Sequence, residues 1–111
     1  MIVVLVTCPT RAVARRLADH LVGHRLAACI NLLPAVHSTF WWQGKVERAR
    51  EVLLLIKSTR RRFERLRRAI LARHPYEVPE IIAVPLAAGH RPYLEWVRAS
   101  VSRPSSTSPA A

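Results

Sequence analysis

The chain has 111 residues, half of them hydrophobic, and carries 18 Lys+Arg against 7 Asp+Glu, for a formal net charge of +11. This length allows one domain and the composition supplies a core, which excludes a globally disordered chain. Two cysteines are too few for a disulfide scaffold, and the longest apolar runs fall far short of the roughly 20 residues of a membrane-spanning helix. No signal peptide is apparent, so we expect a cytoplasmic protein with reduced cysteines and no membrane partner.

The first predicted elements are a strand, a helix and a second strand. Residues 2–6 form an apolar, β-branched run that is typical of a strand buried on both faces. Thr10 is a suitable N-cap for an amphipathic helix that ends at Gly23. Residues 26–33 follow as a second strand, and we expect Pro34 to end it because proline cannot donate a ladder hydrogen bond.

The middle of the chain predicts a long β-hairpin. Residues 36–43 are aromatic and β-branched and form a third strand, and Gln43 and Gly44 provide the turn. In the return strand, residues 45–57, polar and apolar residues alternate at first, whereas residues 52–56 are apolar on both sides. Such a strand should extend outside the sheet as an arm and enter it as a core strand.

The remaining elements complete an alternating order of strands and helices. We predict a helix over residues 60–73 capped by Ser58 or Thr59, a strand over residues 81–86 and a helix over residues 91–101. The buried side of the last helix should carry Tyr93, Leu94, Trp96 and Val97. This order predicts an α+β split βαβ sandwich with one antiparallel sheet, in a single domain over residues 1–102 with a flexible tail at residues 103–111.

Five blocks of sequence occur in one order along residues 2–101, namely residues 26–31, 38–45, 51–57, 74–81 and 93–96. Together they resemble the CutA family, small proteins named for divalent-cation tolerance, and the strongest block is HPYEVPEI at residues 74–81. The resemblance implies a ferredoxin-like βαββαβ fold with an extended β-hairpin and a C-terminal helix. It also implies a tight homotrimer and a link to copper and other divalent metals in bacteria.

The hairpin independently favours a trimer. It is too long for a sandwich of this size, and it carries Phe40, Trp41 and Trp42. A two-stranded ribbon that exposes so much apolar area would be unstable alone and prone to aggregate. Pairing with neighbouring chains in a closed ring removes both problems, so we assign these three residues to the trimer interface. The alternative is that the aromatic side chains cap the core of their own subunit.

The candidate metal ligands are Cys8, Cys29, His37, His74 and His90. No CxxC, HxH or HExxH spacing is present, so any site must be assembled by the fold or across subunits. The resemblance favours His74 and Cys29 as ligands of Cu(II) or another divalent cation, with no obligatory cofactor. Arg73 and Val6 stand where some family members carry a second His and a Cys. The alternatives are a helix cap for His74 and a small buried hydrophobe for Cys29.

A second candidate site is the loop at residues 74–80, which two prolines make rigid. Tyr76, Glu77 and Glu80 project from this loop. If Lys57 and Trp42 come close to it, the resulting cleft would bind a small anion or a metal. The alternative is that Glu80 and Lys57 form a buried ion pair that supports the trimer.

The second helix carries much of the positive charge, at Arg60, Arg61, Arg62, Arg65, Arg67 and Arg68. We interpret it as a solvated face, and nucleic acid is not an expected partner because the central strands lack the stacking aromatics of an RNA-recognition module. We also expect no enzymatic activity, since no nucleophile motif, phosphate loop or paired acids are present.

The sequence therefore favours a cytoplasmic, trimeric CutA-like protein that acts in divalent-metal binding or tolerance. The alternative is a trimeric signalling module like the nitrogen-regulatory PII proteins, which would bind a small anionic ligand in the cleft between subunits. A nucleic-acid binder that uses residues 60–68 is the third and least favoured hypothesis.

Overall fold

The computed structural model describes residues 1–102. The predicted tail at residues 103–111 lies outside the described residues. The elements follow the predicted order: β1 (Ile2–Cys8), α1 (Arg11–Gly23), β2 (Cys29–Trp42), β3 (Lys45–Ser58), α2 (Phe63–Arg73), β4 (Ile81–Pro85) and α3 (Arg91–Val101).

The four strands form one antiparallel sheet in the order β2-β3-β1-β4. β1 is central and pairs with β3 from Ile2↔Ser58 to Cys8↔Val52, and with β4 from Ile2↔Pro85 to Val6↔Ile81. Helices α1 and α2 pack on one face of this sheet. The predicted α+β, ferredoxin-like βαββαβ sandwich with a long hairpin and a C-terminal helix is confirmed.

The core lies between the sheet and these two helices. Every second residue of β1 and β3 is buried there, because side chains alternate between the faces of a strand. Thr10 caps α1 as predicted: its Oγ1 accepts a hydrogen bond of 3.2 Å from the Val13 amide. The largest fully buried core residues include Val4, Val6, Leu21, Leu54, Ile56, Leu66 and Ile70.

The prediction that Pro34 ends a strand is wrong. β2 runs without interruption from Cys29 to Trp42, and its register against β3 shifts between Leu33 and Val36. A β-bulge at this point accommodates the missing N–H of proline, and Ala35 adopts a positive φ of 66° within it. The second and third predicted strands are therefore one.

The cap predicted at Ser58 or Thr59 is met by the position of Thr59 but not by a side-chain hydrogen bond. Residues 60–62 form a 3₁₀ turn before α2, and the Thr59 side chain makes no capping hydrogen bond. Ser58 is fully buried, and its Oγ donates instead to the Leu26 carbonyl at 2.7 Å. This bond fastens the end of β3 to the segment that precedes β2.

The second face of the sheet is covered less than the sequence predicts. Six apolar residues paired across the strands on this face are only half-buried or exposed, and Ile82 and Val84 keep 50% and 47% of their surface exposed. Burial on both faces is predicted for β1 and for residues 52–56. Within the subunit, only the face that packs against the helices is buried. We call this surface the open face; it comprises Val3, Leu5, Leu53, Leu55, Ile82 and Val84.

Helix α3 lies at one end of the sheet. Its Val97 and Val101 are buried against Ala28 and Met1. Tyr93 and Trp96, predicted on the buried side, remain 40% and 49% exposed. The helix therefore presents two aromatic rings to the outside of the subunit.

Candidate functional site

Four of the predicted site residues lie beside the two ends of β1. At the first end, Cys29 pairs directly with Lys57, which pairs with Val3 of β1. The Lys57 ammonium donates to the Asn31 side-chain oxygen and lies 3.8 Å from the Cys29 sulfur. Partial burial and, to a smaller extent, the interaction of Tyr93 with Cys29 raise the pKa of Tyr93. This end thus combines a cation, an amide, a thiol and a phenol.

At the second end, His74 is a structural residue. Its side chain is buried, with 8% exposed. Nε2 donates to the Thr7 carbonyl at 2.7 Å, and Nδ1 accepts from the Tyr76 amide at 3.1 Å. These partners fix the neutral tautomer that carries its proton on Nε2 and leave no lone pair for a metal. His74 is also the C-cap residue of α2, since its backbone N–H donates to the Ile70 carbonyl at 2.8 Å, and its ring fastens this end of α2 to β1.

Tyr76 and Glu51 form a cluster with Cys8 beside this histidine. The Tyr76 hydroxyl donates to Glu51 Oε2 at 2.9 Å, and the His74 and Tyr76 rings are 4.8 Å apart. Burial and the charge of Glu51 raise the pKa of Cys8 to about 11. Partial burial, the hydrogen bond to Glu51 and the nearby charges raise the pKa of Tyr76 to about 12. Both groups are therefore held in the neutral form.

The structure does not bring His74 and Cys29 together. Cys29 lies at the level of Val3, whereas His74 contacts Thr7, four residues further along β1. Four residues of strand span about 13 Å, which is too far for two ligands of one metal ion. Within residues 1–102, no three His, Cys, Asp or Glu side chains are grouped to hold a metal. The assigned metal ligands therefore do not fit a metal within one subunit.

The predicted cleft is not formed within one subunit either. Lys57 lies at the Cys29 end of the sheet, away from Tyr76. Trp42 pairs with Lys45 at the hairpin tip, six residues of β3 from Glu51, or about 20 Å. Glu77 and Glu80 are exposed on the loop. The ion pairs within the described part of the chain are Arg67–Glu64, Arg68–Glu64 and Arg91–Glu95, so the alternative pair of Glu80 with Lys57 is absent there.

The hairpin extends beyond the sheet because β1 ends at Cys8, opposite Val52. We call residues 36–51 the hairpin arm. Gln43 and Gly44 at its tip both have positive φ, of 50° and 77°, which is typical of the two-residue turns that join strands of this twist. Trp41 is 74% exposed and Trp42 57% exposed, so the aromatic side chains do not cap the core of their own subunit.

Two histidines at the end of α1 were missed by the sequence analysis. His20 and His24 have ring centroids 4.0 Å apart. The two histidines have the four-residue spacing of the HExxH motif, but Leu21 stands where that motif has its Glu. The predicted helix, with its period of 3.6 residues, contained the signal because residues four apart share a face.

The raised pKa values predict a loss of stability in alkali. In the folded chain the pKa of each group lies above its ordinary value, which is 9.0 for the Cys8 thiol and 10.0 for the Tyr76 phenol. The unfolded chain therefore loses these protons first, so their contribution to stability is complete below pH 9 and falls as pH rises to about 12. We expect the midpoint of urea unfolding to decrease over this range.

Two variants test which residue causes the loss of stability at high pH. Cys8→Ala should flatten the decrease between pH 9 and about 11, and Tyr76→Phe should flatten it between pH 10 and about 12. Cys29→Ala is the control, because it removes the other thiol and leaves the cluster intact. The assignment is wrong if the first two variants keep the wild-type slope.

No helix in the described residues is long and apolar enough to cross a membrane.

Comparisons with known proteins agree on one family. A family model described as "CutA1 divalent ion tolerance protein" matches residues 2–100. The "Divalent-cation tolerance protein CutA" of Thermus thermophilus is 50% identical over 96 residues, covering 86% of this chain and 93% of that protein. The human "Protein CutA" is 46% identical over 93 residues, and the match spans 84% of this chain but only 52% of the human protein. The solved structure of the Thermus thermophilus Cut A1 matches with a TM-score of 0.88 at 48% identity, covering 90% of this chain and 98% of that one.

Proposed function

The chain belongs to the CutA1 divalent ion tolerance family, and from this we propose that it is a homotrimeric divalent-cation tolerance protein. In this proposal it acts in the cytoplasm, binds Cu(II) or another divalent cation without an obligatory cofactor, and catalyses no reaction. The family match over residues 2–100 is the observation that carries the functional part.

The open face and the hairpin arm support the trimer. The open face presents paired apolar residues of three strands, and the arm adds exposed aromatic side chains on both of its sides. Contiguous apolar surface of this kind marks an interface in a stable protein. Because the arm and the open face are different surfaces, their contact is heterologous, and repetition by a threefold rotation closes it into a ring.

One observation favours the signalling alternative. Lys57 is a cation beside Val3 of the open face, and its ammonium is held by Asn31. A cation at the border of a subunit interface would favour an anionic group of a small ligand. It would oppose a metal cation at the neighbouring Cys29 sulfur, 3.8 Å away.

A thermal-shift panel separates the two functions. We expect Cu(II) to raise the melting temperature of the full chain, because a ligand that binds the folded state alone stabilises it. Adenine nucleotides and inorganic phosphate should leave the melting temperature unchanged, and Lys57→Met should keep the shift with Cu(II). A shift with a nucleotide that disappears in Lys57→Met would establish the signalling alternative instead. The absence of any shift with divalent cations would contradict the metal proposal.

A further inference from the structure

The last turn of α1 brings two imidazole rings together on the surface of the helix layer. His24 is the C-cap residue that follows α1, and its backbone N–H still donates to the carbonyl of His20, four residues before it. The two side chains therefore lie on the same side of the helix end, with ring centroids 4.0 Å apart. His20 is half-buried and His24 is exposed. The end of the helix therefore fixes the backbone of both residues, and the pair is accessible to an ion in solution.

One of the two rings is already oriented. His24 Nδ1 donates to the His20 carbonyl at 2.9 Å, which assigns the proton to Nδ1 and leaves Nε2 as a free acceptor. Metal-binding histidines typically make such a hydrogen bond through the second nitrogen, because it fixes the tautomer and the orientation of the ring. In this respect His24 differs from His74, whose two nitrogens are both occupied.

We propose that His20 and His24 together bind a divalent transition-metal ion, with water completing the coordination. Imidazole nitrogen suits copper, nickel and zinc, and the order of stability for divalent ions places Cu(II) first. The site is on the helix layer and the proposed trimer interface is on the open face, so assembly leaves it accessible. It depends on the proposed function only for the choice of cation.

The charges around the pair set its affinity. Arg73 at the end of α2 lines the groove beside α1 together with Arg16 and Asp19. Of these charges, the Arg73 guanidinium acts electrostatically on His20. A cation at this position opposes the arrival of a second one. Arg73→Ala should therefore tighten metal binding, by about two- to fivefold for partly exposed charges.

Isothermal titration of the full chain with Cu(II) at constant pH tests the site. We expect His20→Ala and His24→Ala each to weaken binding by about tenfold or more, since the second ligand no longer binds intramolecularly. His90→Ala is the matched control, because His90 is an exposed histidine outside the hairpin arm whose side chain makes no capping hydrogen bond to α3, and it should leave the affinity unchanged. His24→Gln keeps a polar side chain at the helix end and should weaken binding as much as His24→Ala.

The outcomes distinguish this site from the proposed function. Binding that is unchanged in His20→Ala and His24→Ala overturns the site and leaves metal binding by the protein intact. If the wild type binds no Cu(II), the site and the metal-binding part of the proposed function both fail. Circular dichroism of each variant checks that the fold is retained, and tighter binding by Arg73→Ala would support the site independently of any loss.

Discussion

Trp41→Glu is expected to dissociate the proposed homotrimer into monomers. Trp41 is 74% exposed within one subunit, and the proposed trimer places its ring against a neighbouring chain. Buried tryptophans are frequent hot spots, and their loss typically costs about 2 kcal/mol or more of binding free energy. A carboxylate at this position adds the cost of removing a charge from water. The threefold ring repeats this penalty at each interface.

A matched pair of variants controls for the added charge. Phe40 on the hairpin arm and Leu71 on α2 are 40% and 42% exposed, so glutamate replaces a similar apolar surface in each. Phe40→Glu should weaken the assembly, whereas Leu71→Glu should leave it intact because Leu71 lies on the helix layer. Sedimentation velocity at several protein concentrations measures both. Dissociation by Leu71→Glu, with Phe40→Glu remaining assembled, would place the interface on the helix layer instead.

His74→Ala should destabilise the folded chain by about 2–4 kcal/mol. The substitution removes both hydrogen bonds of the ring and leaves the Thr7 carbonyl and the Tyr76 amide without their partner. Each unsatisfied buried group costs about 1–3 kcal/mol. Urea unfolding at one fixed protein concentration measures the change, because assembly makes stability depend on concentration.

The neighbouring residue and a chelator provide the controls for His74. Arg73 is exposed, and its guanidinium makes only a long hydrogen bond of 3.4 Å to Ala69, so Arg73→Ala should change stability by less than about 0.5 kcal/mol. The loss in His74→Ala should persist with the chelator EDTA present. If wild type and variant instead become equally stable in EDTA, His74 is a metal ligand and the structural interpretation is wrong.

Local signals made most of the elements predictable. The N-cap at Thr10, the turn at Gln43-Gly44 and the helix Arg91–Val101 depend on neighbours in sequence, and all three were predicted correctly. The continuous strand through Pro34 was missed. A bulge depends on the register against β3, and this register is a property of the paired strands rather than of the five residues around the proline.

The candidate site was harder to predict than the fold. Sequence patterns select residue types that bind metals or anions, and they selected His74, Cys29 and Lys57 on that basis. Whether two such residues meet depends on strand pairing. Cys29 lies level with Val3 of β1, whereas His74 contacts Thr7, four residues further along that strand, and no local pattern contains this separation. The hydrogen bonds that occupy both nitrogens of His74 are equally non-local.

The helical histidine pair is the opposite case. His20 and His24 are brought together by helix geometry alone, so the correctly predicted helix already implied their proximity.

Much of the positive charge on α2 is exposed to solvent. Exposed arginines of α2 include Arg65 and Arg68, and the ion pair of Arg67 with Glu64 is also open to solvent. Three chains of charge +11 would carry +33 together. Repulsion between such trimers would limit association beyond the ring, most strongly at low salt.

The central claim is that the apolar open face and the hairpin arm are interfaces of a homotrimer. The molar mass of the full chain in solution, measured by light scattering at physiological ionic strength, tests it most directly. Three chains of 12.6 kDa predict a mass of about 38 kDa. A mass of 12.6 kDa that does not rise with protein concentration would contradict the claim.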